Sequence, residues 1–294
     1  MKRGTKIKEI KDSAHKENLL KELHIGKIII YLILAIWTVT TIYPFVWVIG
    51  NSFKPSAEVV NTSFSLPKEF TISNYTNAFS KQDILQSYKN SLVISGTVMV
   101  VTMILGTMMA FAMTRYHFRG KAIVSGILLS SLMIPVFSTI IPVFKWMGEF
   151  GLLNLPISVI LPQIAGNLSF ATVVMMGFLW GLPLEMEEAA YMEGAGVRKV
   201  FIHIIVPICR PSMATVAIFC FLWSYNDLIT QLIMIRKRTK FPVGALLNEI
   251  SSKYGTDYGL MTASVTLIIV PVLIIYVFLQ KYIMKGLTAG ALKE

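Results

Sequence analysis

Residues 185–211, EMEEAAYMEGAGVRKVFIHIIVPICRP, set the carboxylates Glu185, Glu187 and Glu188 close together and follow them with small residues and glycines. Carboxylates at the start of a helix meet the positive end of its dipole, and Pro183 can occupy the first turn without wasting an amide. Ala189 and Ala190 keep the backbone approachable, Tyr191 and Glu193 follow, Gly194 and Gly196 break or bend the helix, and Pro207 ends its second half. The expected product is two short helices joined at a glycine elbow. A second group, Trp223, Tyr225, Asn226 and Asp227, places an ionisable carboxyl beside two aromatic rings and an amide within an otherwise apolar stretch. Rings flanked by polar groups suit sugars, whose CH faces stack while their hydroxyls hydrogen-bond. A charge inside a membrane helix costs about 2.5–3.5 kcal/mol on insertion scales, so Asp227 is expected to face a polar interior or another helix. A place on a solute pathway and a structural hydrogen bond between subunits both fit it. No motif pairs a nucleophile with a base. His15, His24, His117 and His203 are too scattered for a metal site, and Cys209 and Cys220 lack spacing partners.

These groups must be held by membrane helices. The chain is 54% hydrophobic and 15% charged, and its uncharged runs reach the length of about 20 residues that a bilayer core requires. Six segments qualify: 28–49, 91–114, 122–144, 156–184, 211–235 and 260–280. The fold class is therefore all-α integral membrane, with a tail at 1–27, a membrane domain at 28–284 and a tail at 285–294. With the amino terminus inside, the inner segments hold seventeen of the 27 Lys and Arg, which favours both termini and the 185–210 loop on the cytoplasmic side. Arg236, Lys237, Arg238 and Lys240 go against this bias, either to meet a partner or to be solvated. The first apolar run has no small-residue cleavage site and is expected to remain as an anchor. The tail ahead of it reads as a short helix in the cytosol or on anionic headgroups. Most of the excess behind the net charge of +11 lies in that tail and beside the spans, so lipid contact accounts for it without nucleic acid.

The spacing of Glu188, Ala189, Ala190, Gly194, Ile204, Val206 and Pro207 resembles the EAA loop of ABC importer permeases, with Val206 in place of the usual leucine. An ordinary amphipathic interfacial helix is the plainer alternative. Outside the loop the chain resembles the carbohydrate branch of that family. The matching landmarks are Ser52, Phe53 and Lys54; Asn74 and Tyr75; Asn90, Ser91 and Leu92; AFAMTRYHFRGK at 110–121; MIPVFSTIIPVF at 133–144; GLLN at 151–154; and a MalG-like end, KGLTAGALKE. The resemblance implies a type I importer permease fold in a bacterial-type cell membrane. It also implies that Glu185, Glu188, Ala189, Ala190, Tyr191, Glu193, Gly194, Gly196, Ile204 and Pro207 couple to a separate ATPase dimer, which uses ATP and Mg; the chain itself binds no cofactor. The implied partners are a MalF-like second permease, an external solute-binding protein that docks on residues 50–90 and 236–259, a sugar and membrane lipid. The sequence holds no G-x-x-x-x-G-K-[ST] phosphate loop.

Pro135 and Pro142, seven residues apart, are expected to free carbonyls on one face of the third span, and Pro162 and Pro271 weaken their own spans. Such breaks either bind polar solute and flex, or are simple kinks satisfied by packing. A secondary transporter is the competing class. It would need coupling ions and charged residues at midplane, for which only Asp227 qualifies.

Overall fold

The computed structural model describes the backbone of residues 2–254 and 257–291, and the side chains of residues 26–280 apart from 136, 254–256, 275, 278 and 279. In chain order the helices are α1 (Lys2–Ser52), α2 (Ser56–Asn61), α3 (Ser73–Lys81), α4 (Ile84–Arg115), α5 (Lys121–Ser131), α6 (Val136–Glu149), α7 (Ile157–Trp180) and α8 (Glu185–Met192). There follow α9 (Val197–Val200), a π-helical turn (Phe201–Ile205), α10 (Val206–Asn226), α11 (Leu228–Met234), a 3-10 turn (Arg238–Lys240), α12 (Val243–Tyr254) and α13 (Tyr258–Ala291). Among the described residues, four stretches are long and apolar enough to cross a membrane as single helices: 26–52, 84–115, 157–180 and 197–226. The α5–α6 pair and α13 occupy the remaining two expected spans. No separate tail helix precedes the first span, because α1 runs without interruption from Lys2.

The bundle forms around α4, whose sequence carries two different faces. Ser87, Ser91, Ser95, Val98, Thr102, Gly106 and Ala110 recur at intervals of three or four and are buried. Leu92, Val93, Val100, Ile104, Leu105 and Met108 point out of the bundle. Small side chains on the inner face let backbones approach, which is how helices pack where lipid removes the hydrophobic drive between them. The closest approach is at Gly106, where an added Cβ would stand 2.8 Å from Cβ of Ala171 on α7. Two apolar clusters close the ends of the bundle. One gathers Phe111, Met113, Met175, Leu179, Val200, Ile205 and Cys209 at the α8 end, and another gathers Ile94, Val98, Val159, Ile160, Met234 and Ile235 toward the far end.

At that far end the loop after α1 is tied down by its polar side chains. Lys54 is fully buried, and its ammonium donates to the carbonyls of Thr62 (2.8 Å) and Ser65 (2.6 Å). Asn74 donates to the carbonyls of Ser52 and Lys54 (2.9 and 2.8 Å), Ser52 and Tyr75 share a hydroxyl hydrogen bond of 2.6 Å, and Phe53 stacks on Phe70 at 4.7 Å. The landmarks separated in sequence are thus one connected knot.

Two spans are broken, each for a local reason. The third is not the continuous 122–144 helix expected. It stops at Ser131 and resumes at Val136, with Pro135 as the extended residue ahead of α6. Pro142 alone lies within a helix there, so the two prolines do not free carbonyls on one shared face. The fifth breaks at Asp227, which leaves helical geometry and caps α11 by accepting from the amide of Thr230 at 3.1 Å. A carboxylate at an N-cap satisfies an amide that would otherwise lack a partner in the membrane.

Candidate functional site

The 185–211 segment takes the elbow shape but not the two-helix arrangement. α8 begins at Glu185, two residues after Pro183, and ends at Met192. Gly194 has φ +83°, the left-handed region. The amide of Ala195 bonds to the carbonyl of Ala190 (2.9 Å) and that of Gly194 to the carbonyl of Tyr191 (3.0 Å), the paired pattern of a Schellman cap. Gly196 has ordinary extended geometry with open space around it and does not need to be glycine. Pro207 does not end the second helix. It sits at the start of α10, in a rod unbroken from Val197 to Asn226. The intervening π turn, closed by the amide of Val206 on the carbonyl of Phe201, loosens the backbone just before the proline ring and accommodates its missing amide.

Side chains on α8 divide sharply. Glu185, Glu188, Ala189, Tyr191 and Glu193 are exposed, and Met192 is 88% exposed. Glu187, between two exposed carboxylates in sequence, is 5% exposed and turns into the bundle. Its Oε1 accepts from Nε of Arg115, the last residue of α4, at 2.7 Å. Ala190 and Ala195 pack against the apolar cluster at this end, and Ile204 packs there from the π turn. Partial loss of hydration, with the Tyr116 phenol nearby, holds the phenol pKa of Tyr191 above its ordinary value.

The structure separates the four residues of the aromatic group. Tyr225 is buried and stacks on Phe221, away from any surface. Asp227 is committed to structure on both oxygens: one caps α11, and the other accepts from Nε2 of Gln163 on α7 at 2.9 Å. Gln163 in turn accepts from Ser224 (2.6 Å), and Ser224 reaches Ser95 on α4 (3.2 Å), so a polar chain crosses three helices. Trp223 and Asn226 remain exposed. Trp223 meets Phe170 edge-on at 4.7 Å and lies 5.6 Å from Phe219, which gives a three-ring surface shared by α7 and α10. Asn167, one turn from Phe170, flanks it.

Of the basic cluster, Arg238 is internally engaged. It donates to the Lys81 carbonyl (2.7 Å) and Gln82 (2.9 Å) and lies 3.2 Å from the Glu249 carboxylate. Arg236 lies over the Phe144 ring at 5.7 Å, while Lys237 and Lys240 are exposed. Sequence reasoning gave Glu187 only a place at the helix start and assigned no role to Arg115, Phe170 or Phe219. The only signal was the helical spacing of Phe219 and Trp223, since the other pairings join distant segments.

Known proteins agree with this architecture. Residues 102–289 match the family model described as binding-protein-dependent transport system inner membrane component. The diacetylchitobiose uptake system permease protein NgcG of Streptomyces coelicolor is 33% identical over 265 residues, which cover 90% of this chain and 88% of that protein. The galactooligosaccharides transport system permease protein GanQ of Bacillus subtilis is 33% identical over 268 residues, covering 90% and 94%. Among solved structures, a chain of a bacterial ABC transporter involved in the import of the polysaccharide alginate superposes with a TM-score of 0.77 at 22% identity, over 88% of this chain and 96% of that one.

Proposed function

The chain belongs to the family of binding-protein-dependent transport system inner membrane components, and we propose that it forms half of the pathway of an ATP-driven sugar importer, with α8 as the contact for an ATPase subunit. It is a multi-pass membrane protein and a permease subunit, not an enzyme. The observation that carries the α8 assignment is the divided helix. Glu185, Glu188, Tyr191 and Met192 project from the bundle while Glu187 anchors the helix from beneath. An exposed patch of charge, ring and thioether on a short, pinned helix suits insertion into a groove of another protein.

In this reading Glu188 supplies charge and hydrogen bonds to the ATPase groove, Ala189 allows close approach, and Gly194 fixes the elbow. An ATPase dimer that binds ATP and Mg closes, draws α8 along, and swings the spans so that the pathway opens toward a docked solute-binding protein; hydrolysis resets it. A MalF-like permease supplies the other half of the pathway. Both termini are cytoplasmic, and residues 50–90, with the knot around Lys54, and 236–259 face the binding protein. The names of the relatives NgcG and GanQ support a sugar of a few units. Asn226 is exposed and Asn167 half-buried beside the rings, and an amide there is costly against lipid, so the three-ring face of Phe170, Phe219 and Trp223 is assigned to the pathway. Asp227 and Tyr225 are structural supports for it, and Pro135 and Pro142 shape the neighbouring α5–α6 break.

The test is purification of the tagged chain from its native membrane, comparing wild type with Glu188→Arg. The expected result is an ATPase and a second permease with wild type, and loss of the ATPase alone from the variant. A lone chain that moves solute into liposomes without ATP would overturn the reading in favour of a secondary transporter.

A further inference from the structure

We propose that the buried ion pair between Arg115 and Glu187 is the link that makes α8 move as one body with α4, so that displacement of the handle becomes displacement of the pathway helices. The inference rests on the assignment of α8 as the ATPase contact, and it concerns a pair that takes no part in that contact.

The side chains of Arg115 and Glu187 are 9% and 6% exposed and meet at 2.7 Å. The guanidinium also reaches the carbonyl of Leu182 at 3.5 Å, so one residue holds both the turn entering α8 and its first turn. A buried ion pair is a poor source of stability compared with apolar packing of the same volume, whereas a pair with one member removed leaves an uncompensated buried charge. Such a pair fixes a relative position, because it is favourable in one geometry and costly in any other.

Little else could do this for α8. On it only Glu187 is buried, and Ala190, which offers one methyl to the apolar cluster, is the other residue not classed as exposed. Downstream the link is stiff. Phe111 on α4 meets Phe201 of the π turn at 5.3 Å, and Gly106 locks α4 against Ala171. A push on α8 through a helix end so connected must carry α4, and with it α7 and α10. Without the pair, the elbow at Gly194 would let α8 tilt alone, and ATPase closure would be absorbed in the turn.

Arg115 and Glu187 are therefore positioning residues. The experiment uses the complete importer, with both permeases, the ATPase dimer and the binding protein, reconstituted in liposomes. Wild type, Glu187→Gln, Arg115→Gln and the exchange Arg115→Glu/Glu187→Arg are compared for ATPase retention and for solute imported per ATP hydrolysed. In the single variants the ATPase stays bound and solute per ATP falls at least tenfold, and the exchange recovers most of the ratio. Unchanged coupling in the single variants would overturn the proposal, as would an exchange that restores expression but not coupling. Spin labels at the exposed Met186 of α8 and Phe118, outside the residues assigned to the ATPase contact, provide a readout that survives poor transport. Their separation should be a single narrow distance in nucleotide-free and ATP-trapped wild type and should broaden in Glu187→Gln; a wild-type shift of several ångströms between the two states would refute the rigid link. If wild type never retains an ATPase, the α8 assignment itself fails, an outcome separate from all of these.

Discussion

Replacing Gly194 with alanine isolates the energetic role of the elbow. At φ +83° an L-residue is strained by contact of its own Cβ with the backbone, by roughly 1–2 kcal/mol. No other heavy atom lies within 4 Å of the added methyl, so no packing term adds to or offsets this strain. Gly196, two residues on, has the same open surroundings but φ −78°. Alanine there should be neutral and provides an internal control. If ATPase binding requires the Schellman turn, Gly194→Ala should weaken the affinity of the detergent-solubilised permease pair for its ATPase by about five- to thirtyfold, the ratio that 1–2 kcal/mol represents. Asparagine, which tolerates the left-handed region better than other side chains, should lose less than alanine. The assay is titration of ATPase subunits onto labelled permease at fixed salt, with circular dichroism confirming unchanged helix content. Equal losses for Gly194→Ala and Gly196→Ala would refute the reasoning, since they would show that chain flexibility rather than backbone sign is what the two glycines supply.

Other perturbations probe the rest of the molecule. Gly106→Val forces α4 from α7 at a contact that already has no room for a methyl, and should lower stability by about 1–3 kcal/mol, measured as a drop in the melting temperature of the purified complex. Trp223→Ala should reduce sugar transport while leaving ATPase retention and melting temperature close to wild type; normal transport would remove the three-ring face from the pathway. Glu58 accepts from the amides of Lys68 and Glu69, and the Lys68 hydrogen bond is the largest cause of a folded carboxyl pKa below its ordinary value. A depressed pKa means that its contribution is present above the ordinary carboxylate range and is lost as pH falls through the folded value. Proteolysis of the 62–70 loop should therefore rise on acidification in wild type and vary less with pH in Glu58→Gln.

The spans were legible because length and absence of charge are properties of sequence, and the elbow because a left-handed cap selects glycine. The break at Pro135 was half legible: the proline was visible, but its conversion from kink to helix boundary depended on three residues before it leaving the helix. Pro207 misled because a proline forbids a hydrogen bond but not a helix, and a π turn upstream supplied the needed slack. Glu187 could not be told from Glu188 by type or spacing, since only the packing of α8 on α4 decides which carboxylate faces inward. Asp227 drew notice as a charge in an apolar run, yet its partners Gln163 and Thr230 show an ordinary cap and crosslink. The rings that join Trp223 were hidden because Phe170 lies on another helix.

The π turn at Phe201–Ile205 also sets an angular phase. Because α9, this turn and α10 form one rod, the direction in which Trp223 points is fixed relative to the elbow by the number of residues between them. Each residue of an α-helix advances the direction by about 100°. Deleting or inserting one residue between 206 and 222 would leave the Gly194 turn and the Arg115 pair in place but turn Trp223 about a quarter-turn around the rod, away from Phe170 on α7. Relatives that share this handle should therefore differ in side chain at the outward positions of this stretch but hardly at all in its length.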